Sequence, residues 1–381
     1  MKTYRFLIVM LVIIIVLPFA GRLFWIMKKS KTIDLVLINK SVENSANNEL
    51  KTLNWALNFD KYVDSLGYSY SYKTDYYGHY PDALDDNRKI KSYKLEEISS
   101  LAKNFDALIF LDNKGVELAR NSKKTTKNSV YGGLNQNDYF LLKEMLNYQK
   151  LVIAEFNFFS SPTEDLVRYN TEQLLDIYSL GWNGKYYENL AKEEINEPVS
   201  ASLFDLYRQN YSADWDFSGP GIILLNLGQK RIIVLPAEKY MNSDFPTVET
   251  TTEIAALYHL PEKAAFTGWF DISYQGKNKV VSTFNLNLNN EGIDILRNNG
   301  IESIFPAVIK SENYRFFYIA GDFSKGTVLL SLSKLGFISN IVKKMGKGKS
   351  KNPDKFNQAY YNFLLSAILN SYYSDINASN N

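Results

Sequence analysis

The chain has 381 residues, of which 45% are hydrophobic and 14% aromatic, enough for one large core or two modest ones. A formal net charge of +2 argues against nucleic acid as a partner, and the absence of cysteine excludes disulfides, thiolate nucleophiles and thiolate metal sites. With only two histidines we predict no zinc site, no bound metal and no cofactor, although carboxylate sites for calcium or magnesium stay open.

The N-terminal segment is the most apolar part of the chain. Phe6–Ala20 carries no charge, and the apolar run continues to Met27, about the length that crosses a bilayer. We therefore predict a single-pass membrane anchor over residues 1–31, with Phe6–Met27 in the bilayer. A cleavable signal peptide is the alternative, but Pro18 would then stand where a small residue is favoured.

Two opposing rules bear on the orientation of this anchor. Four basic residues at the end of the apolar run would place the body in the cytoplasm by the positive-inside rule. They are Arg22, Lys28, Lys29 and Lys31. An N-terminal anchor with so short a tail more often exports the body. We predict that the body lies outside the cytoplasm, and a cytoplasm-facing regulatory protein stays as an alternative.

The body begins with a predicted strand, a helix and a loop. Ile33–Ile38 is a short apolar run typical of a buried strand, and Glu49–Val63 has the apolar spacing of a helix. Tyr68–Pro81 follows as a long, tyrosine-rich loop that has neither the periodicity of a helix nor that of a strand. Such loops are often functional, and exposed tyrosines suit sugar faces and protein partners. The alternative is that the loop packs onto its own domain.

The segment from residue 95 to residue 156 contains the clearest helix and strand patterns of the body. Leu95–Asn104 predicts a short helix, and Asp106–Asp112 predicts a second strand. Asn135 has the spacing to Asp138 of a helix N-cap with a capping box. Leu151–Phe156 follows as the predicted central strand. Helices that alternate with buried strands predict a parallel sheet with right-handed crossovers.

A further helix is predicted directly after this strand. Ser161 would cap it, Pro162 would take its first position and Glu164 would close a capping box. Backbone amide groups near Ser160 and Ser161 could then hold an anion or a developing oxyanion. The alternative is that the serines only cap the helix.

A candidate site lies at the carboxyl ends of the predicted parallel strands, where open α/β sheets bind ligands. Lys40, Asp112 and Glu155 each follow a strand. Two carboxylates at such an edge suit the acid and base of glycoside cleavage. They suit a sugar hydroxyl or a cation equally well, or can merely face water. The candidate ligand-binding residues are Lys40, Asn157, Ser160, Ser161, Tyr76, Tyr77 and Tyr131.

The pattern changes after residue 182. Gly221–Leu227 and Lys230–Leu235 predict a β-hairpin, and Gly268–Tyr274 with Lys279–Leu288 predicts a second. Asp322 follows a further predicted strand and is the third candidate catalytic carboxylate, although a turn-forming aspartate is the alternative.

Together these elements predict an α/β fold with a mostly parallel sheet and helices on both faces. An N-terminal transmembrane helix and a hairpin-rich C-terminal extension complete it. We place the anchor at residues 1–31, the α/β domain at 32–240 and an α+β extension at 241–381. The extension either stands apart or completes the same domain.

One stretch of the chain resembles a known family. The pattern consists of Tyr131-Gly132-Gly133-Leu134, a helix, the strand that runs through Asn157, and a second helix. It resembles class I glutamine-amidotransferase-like proteins, which have a flavodoxin-like fold and include the ThuA-like proteins. The resemblance spans Ile33–Pro236. Those amidotransferases carry a Gly-x-Cys-x-Gly elbow after this strand, whereas this chain has Ala154-Glu155-Phe156-Asn157-Phe158. The resemblance implies the scaffold and not the amidotransferase activity.

Two main functional hypotheses follow. The first is a non-enzymatic, membrane-anchored envelope protein whose amidotransferase-like body binds a polysaccharide or a membrane protein complex. The second is a carboxylate-dependent hydrolase of envelope glycans, with Glu155 as its leading residue and Asp112 or Asp322 as its partner.

Overall fold

The computed structural model describes residues 16–44, 47–83, 89–118, 129–195, 200–242, 245–335 and 353–379. Residues 6–15 of the predicted membrane segment lie outside the described residues. The helices are α1 (16–27), α2 (Asn48–Asp60), α3 (Leu95–Asn104), α4 (Gln136–Asn147), α5 (Asp165–Leu175), α6 (Ser200–Tyr211), α7 (Ala237–Tyr240), α8 (Thr252–Tyr258), α9 (Asn290–Arg297), α10 (Leu330–Ser333) and α11 (353–379), with a 3₁₀ turn at Lys192–Glu194.

The strands are short and occur throughout the described chain. In order they are β1 (Lys31–Thr32), β2 (Leu35–Asn39), β3 (Tyr62–Val63), β4 (Tyr77–His79), β5 (Ile90–Lys91), β6 (Ala107–Phe110), β7 (Val116–Leu118), β8 (Ser129–Tyr131), β9 (Leu151–Ala154), β10 (Tyr178–Tyr187), β11 (Gly221–Asn226), β12 (Arg231–Pro236), β13 (Thr247–Glu249), β14 (Lys263–Ala265), β15 (Trp269–Tyr274), β16 (Lys279–Asn285), β17 (Ile304–Lys310) and β18 (Phe316–Ile319).

A large mixed sheet forms the centre of the fold. Within the described residues its order is β14-β13-β16-β17-β18-β9-β6-β2-β4-β5. The strands β18, β9, β6, β2 and β4 run parallel, and the flanking strands pair antiparallel. The prediction of a mostly parallel sheet was therefore wrong. Numbered along the chain, the parallel strands lie in the order 2-1-3-4-5, which is the flavodoxin-like order.

Helices cover both faces of the parallel strands. Every residue of β2, β6, β9 and β18 is buried, which explains why these strands are continuous apolar runs. Because crossovers are right-handed, α2 lies on one face as the chain moves outward from β2 to β4. The chain then moves the other way to β6 and β9, which puts α3 and α4 on the opposite face. In agreement, α3 packs against α4, and α11 packs against α2.

The C-terminal third of the chain contributes directly to this sheet. β18 pairs in parallel with β9, and β13, β14, β16 and β17 extend the sheet beyond it. The segment 241–381 therefore supplies five strands of the sheet and, through α11, part of its cover.

A second, antiparallel sheet has the order β12-β11-β10-β15. The predicted hairpin of β11 and β12 is confirmed, and it lies in this sheet. The second predicted hairpin was wrong, because β15 pairs with β10 whereas β16 pairs with β13 and β17. The turn between β15 and β16 is bound to the end of α5 instead: Lys277 N donates to Asp176 Oδ2 at 2.8 Å, and Asn278 Nδ2 donates to Leu175 O at 2.8 Å.

The two predicted helix starts had different outcomes. The Asn135 cap of α4 is confirmed, since its side chain accepts from Asp138 N at 3.0 Å and Asp138 reciprocates at 2.8 Å. The predicted start at Ser161 was wrong, because α5 begins at Asp165. Thr163 Oγ1 accepts from Leu134 N at 2.8 Å, so the segment before α5 is packed on the Gly-Gly turn rather than wound into helix.

Helix α1 is joined to the body through one side only. Trp25 is buried, and its Nε1 donates to Asn58 O, at the end of α2, at 2.7 Å. Lys28 Nζ donates to Phe59 O at 2.9 Å. The apolar side chains of Phe19 and Phe24 are exposed. Within the described residues no helix has both the length and the apolar character needed to cross a membrane.

Candidate functional site

The parallel strands bring several polar side chains to one edge of the sheet. β2 and β6 are neighbours, and the connections after them leave in opposite directions. Their carboxyl ends thus form the switch point at which doubly wound sheets bind ligands. Asn39 ends β2, Asp112 follows β6, and Glu155 follows β9. The topology therefore places predicted site residues from separate strands side by side.

Glu155 is a buried carboxyl at this edge, with 4% of its surface exposed. Tyr361 donates its hydroxyl hydrogen to Glu155 Oε1. Burial and, to a smaller extent, the charges of Glu49, Asp322 and Asp112 raise the pKa of Glu155 to about 8, against the lowering effect of the Tyr361 hydrogen bond. Near neutral pH the group therefore keeps its proton, and Oε2 is the oxygen left to carry it.

Asp112 is partly exposed and is held by three donors. Lys114 N donates to its Oδ1 at 2.8 Å, Asn157 Nδ2 donates to the same oxygen at 3.2 Å, and Ser41 adds a side-chain hydrogen bond. Burial raises the pKa of Asp112, and these hydrogen bonds act against the rise. The carboxyl group is thus fixed in orientation at the end of β6.

Asp322 joins the same group from the far side of β9. It follows β18, and its backbone N donates to Trp269 O at 2.8 Å. Burial raises the pKa of Asp322 to about 6, with a smaller contribution from the charge of Asp112 and an opposing one from Lys325. Asp322 and Glu155 therefore take different protonation states at neutral pH.

Glu49 was not predicted as a site residue. It lies in the first turn of α2, and Asn39 Nδ2 donates to its Oε2 at 3.1 Å. Burial, together with the charges of Asp112 and Asp322, raises the pKa of Glu49 to about 8. The position of Glu49 in the sequence could have indicated its place in the site. It closely follows the loop after β2, and that loop also opens onto the switch point. We call Glu49, Asp112, Glu155 and Asp322 the carboxylate crevice.

Tyr361 was also missed by the sequence analysis. It ends a π-helical turn, Asn357–Tyr361, near the start of α11. Such turns occur frequently at functional sites. The same turn is tied to the segment that carries Asp322, since Asn357 Nδ2 donates to Ser324 O at 3.2 Å. One helical turn thus holds both Glu155 and the loop of Asp322.

Across the described ranges, no three acidic or histidine side chains come together closely enough to hold a metal ion. The four carboxyl groups interact through their charges without forming such a group.

Lys40 points away from the carboxylate crevice. Its ammonium forms an ion pair with Asp138 and donates to Gly133 O at 2.7 Å, and both charged side chains are buried. Tyr93 donates its hydroxyl hydrogen to Asp138 Oδ1 at 2.5 Å. The Lys40 side chain therefore joins the end of β2 to the start of α4.

Asn157, Ser160 and Ser161 line a cavity of about 510 Å³ beside the crevice. Asn157 has a left-handed backbone with φ of 67°, and its backbone N donates to Asp271 Oδ2 at 3.0 Å. Asp271 is buried and also accepts hydrogen bonds from Tyr318 and from the side chain of Asn183. Burial raises the pKa of Asp271 to about 7, against the effect of these donors.

The candidate tyrosines are packed within the body, away from that cavity. Tyr76 stacks on Tyr80 with ring centroids 4.3 Å apart, and Tyr77 meets Tyr93 edge-on at 5.2 Å. Tyr76 also lines a separate cavity of about 330 Å³. Tyr131, in β8, is partly buried, and burial raises its pKa. Much of the aromatic loop thus packs onto its own domain.

Comparisons with known proteins add little to this picture. No family model matches the chain, and no curated protein matches its sequence. Among solved structures, a ThuA-like protein from Bacteroides uniformis ATCC 8492 is 13% identical, with a TM-score of 0.35, over 86% of this chain and 96% of that one. A ThuA-like protein from Parabacteroides merdae ATCC 43184 is 8% identical, with a TM-score of 0.36, over 81% of this chain and 88% of that one. TM-scores this low carry no weight for the site or its chemistry.

Proposed function

We propose that this protein hydrolyses glycosidic bonds of an envelope polysaccharide, with the carboxylate crevice as its active site. The proposal rests on buried carboxyl groups that meet at one sheet edge and differ in pKa. Glu155, with a pKa of about 8, holds its proton at neutral pH, whereas Asp322, with a pKa of about 6, has lost its own. Carboxyl groups pushed apart in this way divide into the acid and the base of a reaction.

Glu155 and Asp322 then have defined roles, and Asp112 is a third candidate. Glu155 gives its proton to the glycosidic oxygen as the bond from the sugar carbon to that oxygen breaks. Asp322 takes a proton from the attacking water, or attacks the sugar carbon itself, and water replaces it in a second step. Asp112 is fixed by Lys114 N and Asn157, its charge acts on both Glu155 and Asp322, and it is the alternative partner.

The scaffold in this proposal is amidotransferase-like without the nucleophile. Support comes from the 2-1-3-4-5 order of the parallel strands and from the absence of cysteine. Glu155 follows β9, the strand that corresponds to the one before the cysteine elbow of the class I amidotransferases.

We also propose that the chain is anchored in a membrane through Phe6–Met27, with the body outside the cytoplasm. The support is the uncharged run Phe6–Ala20 together with the exposed apolar side chains of α1. A reporter that is active only outside the cytoplasm, fused to the C-terminus, is expected to be active. Activity of a cytoplasm-only reporter instead would favour the cytoplasm-facing regulatory protein.

The activity should have a bell-shaped pH dependence. Below about pH 6 Asp322 takes up a proton and no longer serves as a base, and above about pH 8 Glu155 loses the proton that it donates. We expect kcat/KM for the release of reducing ends to be greatest at about pH 7. The measurement uses the full chain in detergent and polysaccharide from its own envelope.

The Asp322→Asn variant provides the control for this profile. Its activity should be low, and the fall on the acid side should disappear. A flat profile in the unmodified protein would contradict the assignment of acid and base. No release of reducing ends from folded protein that still binds the polysaccharide would favour the non-enzymatic candidate, which the cavity beside the crevice supports.

A further inference from the structure

The cavity of about 510 Å³ is large enough to be a small-molecule site, and it lies between the end of β9 and the second sheet. We call it the amide cavity, because four of its lining side chains are amides: Asn157, Asn183, Asn226 and Gln229.

The amide cavity adjoins the carboxylate crevice through shared residues. Asn157 lines the cavity and donates to Asp112. Lys114 lines it as well, and its backbone N donates to the same carboxyl group. Trp269 lines the cavity, and its carbonyl oxygen accepts from the backbone N of Asp322. A ligand unit in the cavity would therefore lie next to the reacting carboxyl groups.

The chemistry of the lining suits a sugar ring. Trp269 and Phe156 offer partly exposed aromatic surface on which the apolar face of a ring can lie. Asn157 and Asn183 offer polar amide groups for hydroxyls, and both are fixed in place by Asp271. Small-molecule sites usually have a mostly apolar lining with a few polar groups in fixed positions.

The charges of the lining favour an acidic sugar over a neutral one. Two cationic side chains, Lys114 and Arg168, line the cavity, against one carboxyl group, Glu172. Glu172 is partly satisfied because it accepts from Ser179 N at 3.1 Å, and burial raises its pKa. Arg168 pairs with Asp165 at 2.7 Å, but 92% of the Asp165 side chain is exposed, so water screens that pair.

We propose that the amide cavity binds an acidic sugar unit, such as a uronic acid, adjacent to the bond that is cleaved. The proposal deepens the glycan-hydrolase function and rests on it for the fate of the bound chain. The carboxylate of the sugar would lie near Lys114 and Arg168, its ring on Trp269, and its hydroxyls on the amide groups.

The test is calorimetric titration of the full chain in detergent with tetragalacturonate and with cellotetraose. Glu155→Gln is used as the background so that neither probe is consumed. We expect tetragalacturonate to bind roughly tenfold more tightly than cellotetraose. A charge-assisted hydrogen bond contributes enough binding free energy for about a tenfold change in affinity. The preference should shrink as salt is raised.

Two variants locate the preference. Lys114→Gln combined with Arg168→Gln should abolish the preference by lowering the affinity for tetragalacturonate to about that for cellotetraose. Arg297→Gln is the matched control, because Arg297 also forms an exposed i, i+3 pair, with Asp294, and does not line the cavity. Its preference should be that of the parent protein.

The outcomes separate this inference from the proposed function. Equal binding of the two probes, or binding of neither by folded protein, would overturn the acidic-sugar site. A preference that survives in the double variant would overturn it too. Tight tetragalacturonate binding, with no reducing ends released by the unmodified chain from any polysaccharide, would support the site and defeat the hydrolase. Cleavage of neutral glycans by a chain that does not prefer tetragalacturonate would support the hydrolase and defeat the acidic-sugar site.

Discussion

Replacing Glu155 by glutamine is expected to lower kcat for reducing-end release by at least about a hundredfold, since general acid catalysis contributes about 10² to 10⁴. Glutamine has nearly the same shape but no acidic proton. Its amide oxygen can still accept the hydrogen bond that Tyr361 gives to Glu155 Oε1. KM should change little, because the loss falls on the chemical step rather than on binding.

Two controls make this result interpretable. Glu302→Gln removes a carboxyl group from an exposed loop outside the crevice and should leave kcat unchanged. Circular dichroism and the thermal midpoint should show that the Glu155→Gln protein is folded. Full activity in a folded Glu155→Gln protein would remove Glu155 from the mechanism, and the search would move to Asp112 and Glu49.

Replacing Lys40 by methionine is expected to lower the free energy of unfolding by about 3–5 kcal/mol, the usual effect of breaking a buried ion pair from one side. The side chains of Lys40 and Asp138 are 5% and 2% exposed, so the remaining carboxylate stays buried without its cation. Tyr93 and the backbone N of Asn135 still donate to Asp138, which limits the loss of stability. Chemical denaturation of the full chain measures it.

The matched control is Lys263→Met. Lys263 pairs with Glu249 at 2.6 Å, but its side chain is 58% exposed. Surface pairs contribute about 0–1 kcal/mol, so this variant should lie close to the parent protein. If Lys40→Met were no less stable than the control and yet lost sugar binding, Lys40 would be a ligand-binding residue, as the sequence predicts.

The parts of the site that follow from local sequence could be predicted. Helix α3 begins and ends at the predicted residues, and Asn135 caps α4 as expected. Asp112, Glu155 and Asp322 were identified because each directly follows a buried apolar run, and the ends of such runs fix the ends of strands. The charges of Asp112 and Asp322 act on Glu155, so the fold places these three carboxyl groups near one another, and their role in a site stays a prediction.

The remaining features depend on contacts between distant parts of the chain. Nothing near β18 in sequence shows that it pairs with β9, so the extent of the sheet could not be predicted. Tyr361 reaches Glu155 across 206 residues, and no local pattern marks it. The false hairpin of β15 and β16 arose in the same way, because the turn between them is bound by α5 rather than by its own strands.

Helix α2 sets the distance between the two ends of the body. Its first turn carries Glu49 in the crevice, and its last turn receives Trp25 of α1 at Asn58. Thirteen residues of helix span about 20 Å at 1.5 Å per residue. For a chain held in a bilayer through α1, the crevice would lie no more than about that distance from the point where α1 meets the body. A substrate cut there would lie close to the anchor, within roughly the length of α2.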